Sequence, residues 1–196
     1  MRANVARSRA VIVVFERTRD TQLCFRAYFI APTKQDTVSS NIFLARSSPA
    51  DFDATVRSAV TIDEYPDCPE AVATMEAVRL FGAPESQNDT FERMTAGDLV
   101  LFHQEGEYVG TGWINTTFED DQQWASTALW SETESPLIYT LEAFTPVAVP
   151  ISAVNRIFGY ADGYTPPNVM RVASNRVDSR PKALAHALAQ YTDKHT

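Results

Sequence analysis

The sequence has few of the residues from which disulfide, metal and membrane sites are built. It contains two cysteines, Cys24 and Cys68, in 196 residues. Two cysteines do not form a disulfide framework or a metal cluster, so we expect free, buried thiols in a cytoplasmic protein. No apolar run approaches the about eighteen residues of a membrane span. Residues 1–7 also lack the long apolar core of a signal peptide, so no association with a membrane is expected.

Catalytic patterns are also lacking. The three histidines are His103, His186 and His195. None has a carboxylate, serine or cysteine at a catalytic spacing, and no pair has metal-ligand spacing. Gly110 and Gly112 lie inside a predicted strand, so they do not form a phosphate-binding loop. Asp120 and Asp121 could hold a divalent ion, but we interpret them as an acidic surface loop. The sequence therefore predicts no catalytic residue, no metal and no cofactor.

Charge is distributed unevenly along the chain. The net charge is −8, which alone argues against non-specific binding to nucleic acid. Residues 1–46, however, hold eight basic and three acidic side chains, and residues 156–196 hold six and three. If the two ends of the chain meet, one face is basic and the opposite face is acidic. A local basic face is what phosphate contacts require.

The local signal for structure is strongest in a β-hairpin. Two apolar runs, residues 99–102 and 108–114, flank a polar turn centred on Gly106. Further strands are predicted at residues 10–16, 23–30, 41–45, 137–144, 147–151 and 170–172. Helices are predicted to begin at Ser48–Pro49, with Ser48 as N-cap, at Ser152 and at Pro181. Residues 71–80 favour a helix but leave a strand open, and a break is expected at residues 81–84.

These elements predict an α+β chain, with a small closed, twisted β-barrel and helices packed outside it. We expect a single domain over residues 1–196. Its core spans about residues 22–178, residues 1–21 form an N-terminal strand extension, and residues 179–196 form a C-terminal helix.

Three tryptophans and one phenylalanine are candidates for a binding surface. Trp113, Trp124 and Trp130 lie beside polar loops, and Phe81 lies at a Gly-Pro break. A tryptophan in a loop either belongs to the core or forms a binding wall, since exposing it to water is unfavourable. Strand alternation places Trp113 on the same face as Val109, which favours the core for Trp113.

The order of several short motifs resembles the EVE and YTH branch of the PUA-like superfamily. These motifs are Phe81-Gly82-Ala83-Pro84, Asn88, Phe91-Glu92-Arg93-Met94, Gly97-Asp98-Leu99-Val100-Leu101-Phe102, Tyr108-Val109-Gly110-Thr111-Gly112, Ala128-Leu129-Trp130 and Leu137-Ile138-Tyr139-Thr140-Leu141-Glu142. The segment 151–172 is most similar to the N-terminal EVE-like domains of McrB-type modification-dependent restriction systems. The resemblance covers about residues 22–178.

The resemblance implies a pocket in which an aromatic cage holds a modified base that has turned out of the nucleic acid. By position it implies cage walls at Phe81 and at Trp130 or Trp124. Phe81 departs from the family, where a tryptophan is usual. The remaining residues carried over are Asn88, Thr33 and Gly82 as polar contacts to the base, Arg171, Asn175 and Arg176 as phosphate contacts, and Trp113 behind the cage.

The function expected from this resemblance is a non-enzymatic reader of modified nucleic acid, with DNA favoured over RNA. The protein would serve as the recognition module of a restriction or defence system, with a nuclease or motor subunit or domain as partner. N6-methyladenine, 5-methylcytosine and hydroxymethylcytosine all stay open as the base. Alternatives are an RNA- or tRNA-binding PUA-like domain and a small-molecule or protein-interaction module with a vestigial pocket.

Overall fold

The computed structural model describes residues 40–131, 134–177 and 180–195, with the backbone alone for 192–195. The residues from Ser40 onward form one compact unit. Thr33 and the predicted strands at residues 10–16 and 23–30 lie outside the described residues. The predicted N-terminal extension, residues 1–21, also lies outside them, so the predicted domain limits stay a prediction.

The described chain contains seven strands and five α-helices. The strands are β1 (Ile42–Arg46), β2 (Val60–Thr61), β3 (Ala77–Ala83), β4 (Leu99–Gln104), β5 (Glu107–Glu119), β6 (Leu137–Pro150) and β7 (Val169–Arg171). The helices are α1 (Pro49–Phe52), α2 (Asn88–Phe91), α3 (Trp124–Ala128), α4 (Ile151–Ile157) and α5 (Pro181–His195). No helix in the described ranges is long and apolar enough to cross a membrane.

A parallel pair of strands lies within an otherwise antiparallel sheet. The strand order is β2-β3-β6-β5-β4-β1-β7, and β1 runs parallel to β4. Asp98, fully buried before β4, joins the amino ends of the two strands. Its carboxylate accepts the backbone N–H of Asn41 at 2.6 Å and that of Thr95 at 2.9 Å. Buried carboxylates with several N–H donors are strongly held, so Asp98 stabilises this register.

The sheet curls but does not close. Phe81 of β3 and Phe102 of β4, which are separated by two strands in the sheet, have ring centroids only 5.9 Å apart. The predicted α+β class and twisted sheet are confirmed. The predicted closure into a barrel is not confirmed. Among the described residues no pairing joins β2 or β3 to β1 or β7, so these strands leave a gap on one side.

Side chains of the central strands alternate between two hydrophobic cores. Phe43 and Phe102 belong to an aromatic cluster on one face, whereas Ile42 and Leu44 belong to an aliphatic cluster on the other. The aliphatic cluster is covered by α4 and by Leu184 and its neighbours on α5. Because both faces are buried, β1 and β4 are continuous apolar runs, as parallel strands usually are.

Several boundaries differ from the sequence-based expectation. The hairpin is confirmed, but β6 is one strand that continues through Pro146 rather than two. Beyond Leu141, β6 pairs with β5 alone in the described sheet, so the missing N–H of Pro146 disrupts no second ladder.

Helix α1 begins as predicted, with Ser48 accepting from the N–H of Asp51. Ser152 is not an N-cap, because α4 already begins at Ile151. The predicted break at residues 81–84 is wrong, since β3 continues to Ala83.

Trp113 lies on the opposite face of the sheet from Val109, so the prediction that they share a face is wrong. Trp113 packs half-buried against the aliphatic cluster, and Val109 packs against the aromatic cluster. The pairing of β5 with β6 is irregular between Tyr108 and Gly110. A bulge of this kind inserts one residue and reverses the alternation of the residues that follow.

We expect Gly110→Ala to destabilise the protein by about 1–3 kcal/mol, because overpacking forces neighbouring groups apart. A methyl group at Gly110 would collide with the ring of Phe144 and come within 3.3 Å of Phe52. The matched control is Gly163→Ala, since nothing lies within 4 Å of that position. Urea denaturation measures both variants. Equal midpoints for the two would contradict the packing described for β5.

Candidate functional site

A pocket of about 450 Å³ opens where the parallel strands β1 and β4 end. It lies in the gap between β1 and β3 that the sheet leaves open. Its lining residues are Arg46, Ser47, Ser48, Pro49, Phe81, Gly82, Pro84, Gln104, Glu105, Glu134 and Asn168. Polar groups at the carboxyl ends of neighbouring parallel strands converge at one edge, which is a common place for a ligand.

The apolar wall of the pocket is formed by Phe81 and Gly82. Phe81 is almost fully buried, and its ring lies 5.7 Å from the ring of Trp130, centroid to centroid. Gly82 allows this approach, because a Cβ there would lie 2.8 Å from the Trp130 ring and 2.5 Å from Cβ of Ser135. The structure thus brings three predicted site residues, Phe81, Gly82 and Trp130, into contact.

Trp130 is held from behind by hydrogen bonds. Its indole N–H donates to Thr55 Oγ1 at 3.1 Å, and the Thr55 hydroxyl donates to the Asp51 carbonyl at 2.9 Å. The buried Asp51 carboxylate accepts the backbone N–H of Ser131 at 2.8 Å. These bonds tie the segment after α3 to α1, so Trp130 lies in the core behind Gly82 and is 6% exposed.

Trp124 does not line the pocket. It is 7% exposed and contacts Tyr65 edge-on at 5.9 Å.

The interpretation of Asp120 as part of a surface loop is wrong, because its carboxylate is buried and accepts the N–H of Ala125 at the start of α3. Asp121 is exposed, as expected.

The predicted polar contacts are dispersed around the sheet. Asn88 lies at the start of α2, outside the pocket lining, and donates to Glu92. Arg171 donates to Asn41 at the amino end of β1, the edge opposite the pocket. Arg176 donates to two carbonyl groups at the end of α4, and its guanidinium lies 4.6 Å from the ring centre of Tyr160. Asn175 is exposed.

Six polar lining residues were not singled out from the sequence. They are Arg46, Ser47, Gln104, Glu105, Glu134 and Asn168. Arg46 forms no ion pair with any described carboxylate. A usable signal was present, since Arg46 and the pair His103-Gln104 come directly after the apolar runs 42–45 and 99–102. The parallel pairing that brings these strand ends together was not predicted.

His103 supports the turn beside the pocket. It is buried, and its Nε2 accepts the N–H of Gly106 at 3.3 Å. Burial, and secondly the positive charge of Arg46, lower the pKa of His103 below its ordinary value of 6.5. The imidazole is therefore neutral in the folded protein near neutral pH.

Replacing Thr55 by valine should lower the free energy of unfolding by about 1–3 kcal/mol. The change keeps the shape of the side chain but leaves the buried indole N–H of Trp130 without its acceptor. Thermal denaturation followed by tryptophan fluorescence is the measurement. Thr61→Val, at an exposed position of β2, is the control. Indistinguishable behaviour of the two variants would mean that this bond does not hold Trp130.

His103→Gln should weaken the loss of stability on acidification. The folded state keeps His103 neutral, whereas the unfolded chain binds a proton below a pH of about 6.5, so stability falls with the pH from there. Urea titrations at pH values of about 7.5 and 5.5 compare this variant with His186→Gln, which removes an exposed histidine of α5. The account is contradicted if both variants keep the slope of the wild type.

Comparison with known proteins places this geometry in a known fold. No family model and no curated protein matches the sequence. Among solved structures, one similar to this chain is the N-terminal domain of McrB from Thermococcus gammatolerans, solved bound to m5C DNA. It is 18% identical, with a TM-score of 0.58, and the match covers 76% of this chain and 99% of that domain.

Two further solved structures match less closely in shape. The YTH domain of the Zygosaccharomyces rouxii MRB1 protein, in complex with N6-methyladenosine RNA, is 10% identical with a TM-score of 0.46, and the match covers 82% of this chain and 94% of that one. The ASCH protein from Zymomonas mobilis is 11% identical with a TM-score of 0.43, and the match covers 69% of this chain and 90% of that one.

The similarity to the McrB domain carries a conclusion, and at 18% identity that conclusion concerns the fold alone. The resemblance seen in the order of the motifs is thereby confirmed at the level of structure. The chain has the fold of this McrB N-terminal domain.

Proposed function

We propose that this protein is a non-enzymatic reader of modified nucleic acid that takes a methylated or hydroxymethylated base, turned out of a DNA duplex, into the pocket between β1, β3 and β4. The observation that carries the proposal is the pocket of about 450 Å³, whose lining combines an apolar wall with charged side chains that form no ion pair with any described residue. Its volume falls within the range of small-ligand sites.

The wall formed by Phe81 and Gly82 would contact the base, with only the 2% of Phe81 that is exposed available to it. This contact contributes less than the about 1–3 kcal/mol of a full stack on an aromatic side chain, and burying one methyl carbon adds about 0.8 kcal/mol. Turning a base out of a duplex costs a few kcal/mol. The wall alone therefore cannot hold a base, and contacts to the phosphate backbone must contribute.

Within this proposal Phe81 is the wall itself and Trp130 supports it from behind Gly82. Trp124 has a supporting role one layer further away, through the aromatic cluster. Trp113, on the other face of the sheet, would act only through β5. Thr33 and Asn88 stay predicted contacts to the base, for which the described residues offer no support.

Phosphate contacts are proposed at two places. Arg46 lies at the rim of the pocket and forms no ion pair with a described carboxylate, so its charge is available to a phosphate beside the turned-out nucleotide. Arg171, Asn175 and Arg176 stay predicted contacts. They are exposed, but Arg176 already donates to two carbonyl groups. Arg46 is therefore the stronger candidate.

The biological role that we propose is recognition within a restriction or defence system, with a nuclease or motor subunit or domain as partner. Support comes from the similarity to a domain that is itself the N-terminal part of McrB and was solved with m5C DNA. The same similarity favours DNA over RNA. A cytoplasmic location, expected from the composition, accompanies this proposal.

Fluorescence anisotropy tests the proposed function. Labelled duplexes carry one 5-methylcytosine, hydroxymethylcytosine, N6-methyladenine or no modification, and each is titrated at two salt concentrations. We expect at least one modified duplex to bind more tightly than the unmodified duplex at both salt concentrations. Equal affinity for all duplexes would overturn the proposal. If single-stranded RNA competes more strongly than modified DNA, the ligand of the proposed reader is RNA instead of DNA.

Arg46→Gln should weaken binding to modified and unmodified duplexes by a similar factor, because a phosphate contact carries no sequence information. The salt dependence, as the slope of log K against log salt, should fall by about one. The matched control is Arg57→Gln, which removes an exposed arginine outside the pocket lining. An unchanged slope in Arg46→Gln would contradict the assigned contact.

A further inference from the structure

The turn between β4 and β5 holds an acidic residue in an unusual backbone conformation. Glu105 has a φ of 43° and Gly106 a φ of 90°. Positive φ at both central residues is the mark of a type I′ turn, for which Asn-Gly is the favoured pair. Within the described ranges only Glu105 and Gln123 have positive φ without being glycine. Such conformations cost stability and concentrate at functional sites.

Glu105 also lies at the pocket. It lines the pocket next to Gln104, the last residue of β4. The amide nitrogen of Gln104 donates to Ser47 Oγ at 3.2 Å, so its amide oxygen is left as an acceptor. The backbone of the turn is held by the bond from the Gly106 N–H to His103. This edge of the pocket therefore presents two acceptor groups, the Gln104 amide oxygen and the Glu105 carboxylate.

The Glu105 carboxylate has no structural use in the described part of the chain. It forms no ion pair there, even though Arg46 lines the same pocket. Nor do the described residues contain a group of three or more His, Cys, Asp or Glu side chains that could hold a metal ion. A carboxylate that neither pairs with a cation nor accepts a hydrogen bond from the protein is available to an N–H donor of a ligand.

We propose that Glu105 determines which base edge the pocket accepts, and that it accepts a hydrogen bond from an exocyclic amino group. Bases of the cytosine and adenine class present such an amino group, whereas thymine and hypoxanthine present a carbonyl oxygen at the same place. A carbonyl facing the carboxylate would leave two acceptors without a donor, which is unfavourable in a desolvated pocket. This inference rests on the proposed function, because it assigns the chemistry of the same pocket.

The test uses pairs of bases in which a carbonyl oxygen replaces the exocyclic amino group, a change that also turns the adjacent ring nitrogen from an acceptor into an N–H donor. 5-Methylcytosine is paired with thymine, which carries the same methyl group, and N6-methyladenine is paired with hypoxanthine, which also lacks the methyl group. Each base is placed opposite an abasic site in one duplex sequence, so that no base pair has to be broken. For the pair that the wild type binds, we expect the amino member to bind at least about tenfold more tightly.

Three variants isolate the role of Glu105. Glu105→Gln, whose amide can donate as well as accept, should reduce the preference to within about threefold. Glu105→Asn should lose the preference too, but should raise Tm by about 1–3 °C because Asn-Gly suits the turn. Glu107→Gln, on the same hairpin but outside the lining, should leave the preference and Tm unchanged.

The measurements distinguish a failure of the role assigned to Glu105 from a failure of the proposed function. A Glu105→Gln variant that keeps the full preference, or a wild type that prefers the carbonyl member, would overturn the role of Glu105 and leave the proposed function standing. A wild type that binds modified and unmodified duplexes with equal affinity would overturn both.

Discussion

The parallel pairing of β1 with β4 is the constraint on which the rest of the site depends. Asp98, itself buried, joins the amino ends of the two strands through partly buried hydrogen bonds to Asn41 and Thr95. With that register set, the carboxyl ends must meet at the opposite edge, where Arg46 pairs across from His103. The pocket is lined by the residues that continue from these ends. Its position therefore follows from a contact at the far end of the strands.

The aromatic residues serve mainly to shape the pocket from within the core. The curled sheet brings Phe81 against Phe102, and Gly82 lets Trp130 approach the backbone of β3. Aromatic rings packed at such distances favour tilted and edge-on contacts, which these pairs show. The resemblance implied cage walls at Phe81 and at Trp130 or Trp124, but the structure has Phe81 at the wall and both tryptophans in the core. Specificity is consequently assigned to the polar rim.

Local signals predicted the elements better than their faces and ends. The hairpin and the cap at Ser48 followed from residue types, because turns and caps depend on a few neighbouring atoms. The face of Trp113 could not be predicted, since one bulge near Gly110 reverses the alternation. The pocket residues Arg46 and Glu105 were missed because they are 59 positions apart and meet only through strand pairing. Phe81 was a candidate from its Gly-Pro break, whereas Gly82 was named only through the resemblance, which carries tertiary information that local patterns lack.

We propose that a modified base enters the pocket at the carboxyl ends of β1 and β4. An NMR titration of the ¹⁵N-labelled protein tests this directly, by comparing two duplexes that differ in a single modified base. We predict that the shifts specific to the modification concentrate at the backbone amides of Ser47, Gly82, Gln104 and Glu105. Modification-specific shifts confined to α5 and β2, with these four amides unmoved, would contradict it.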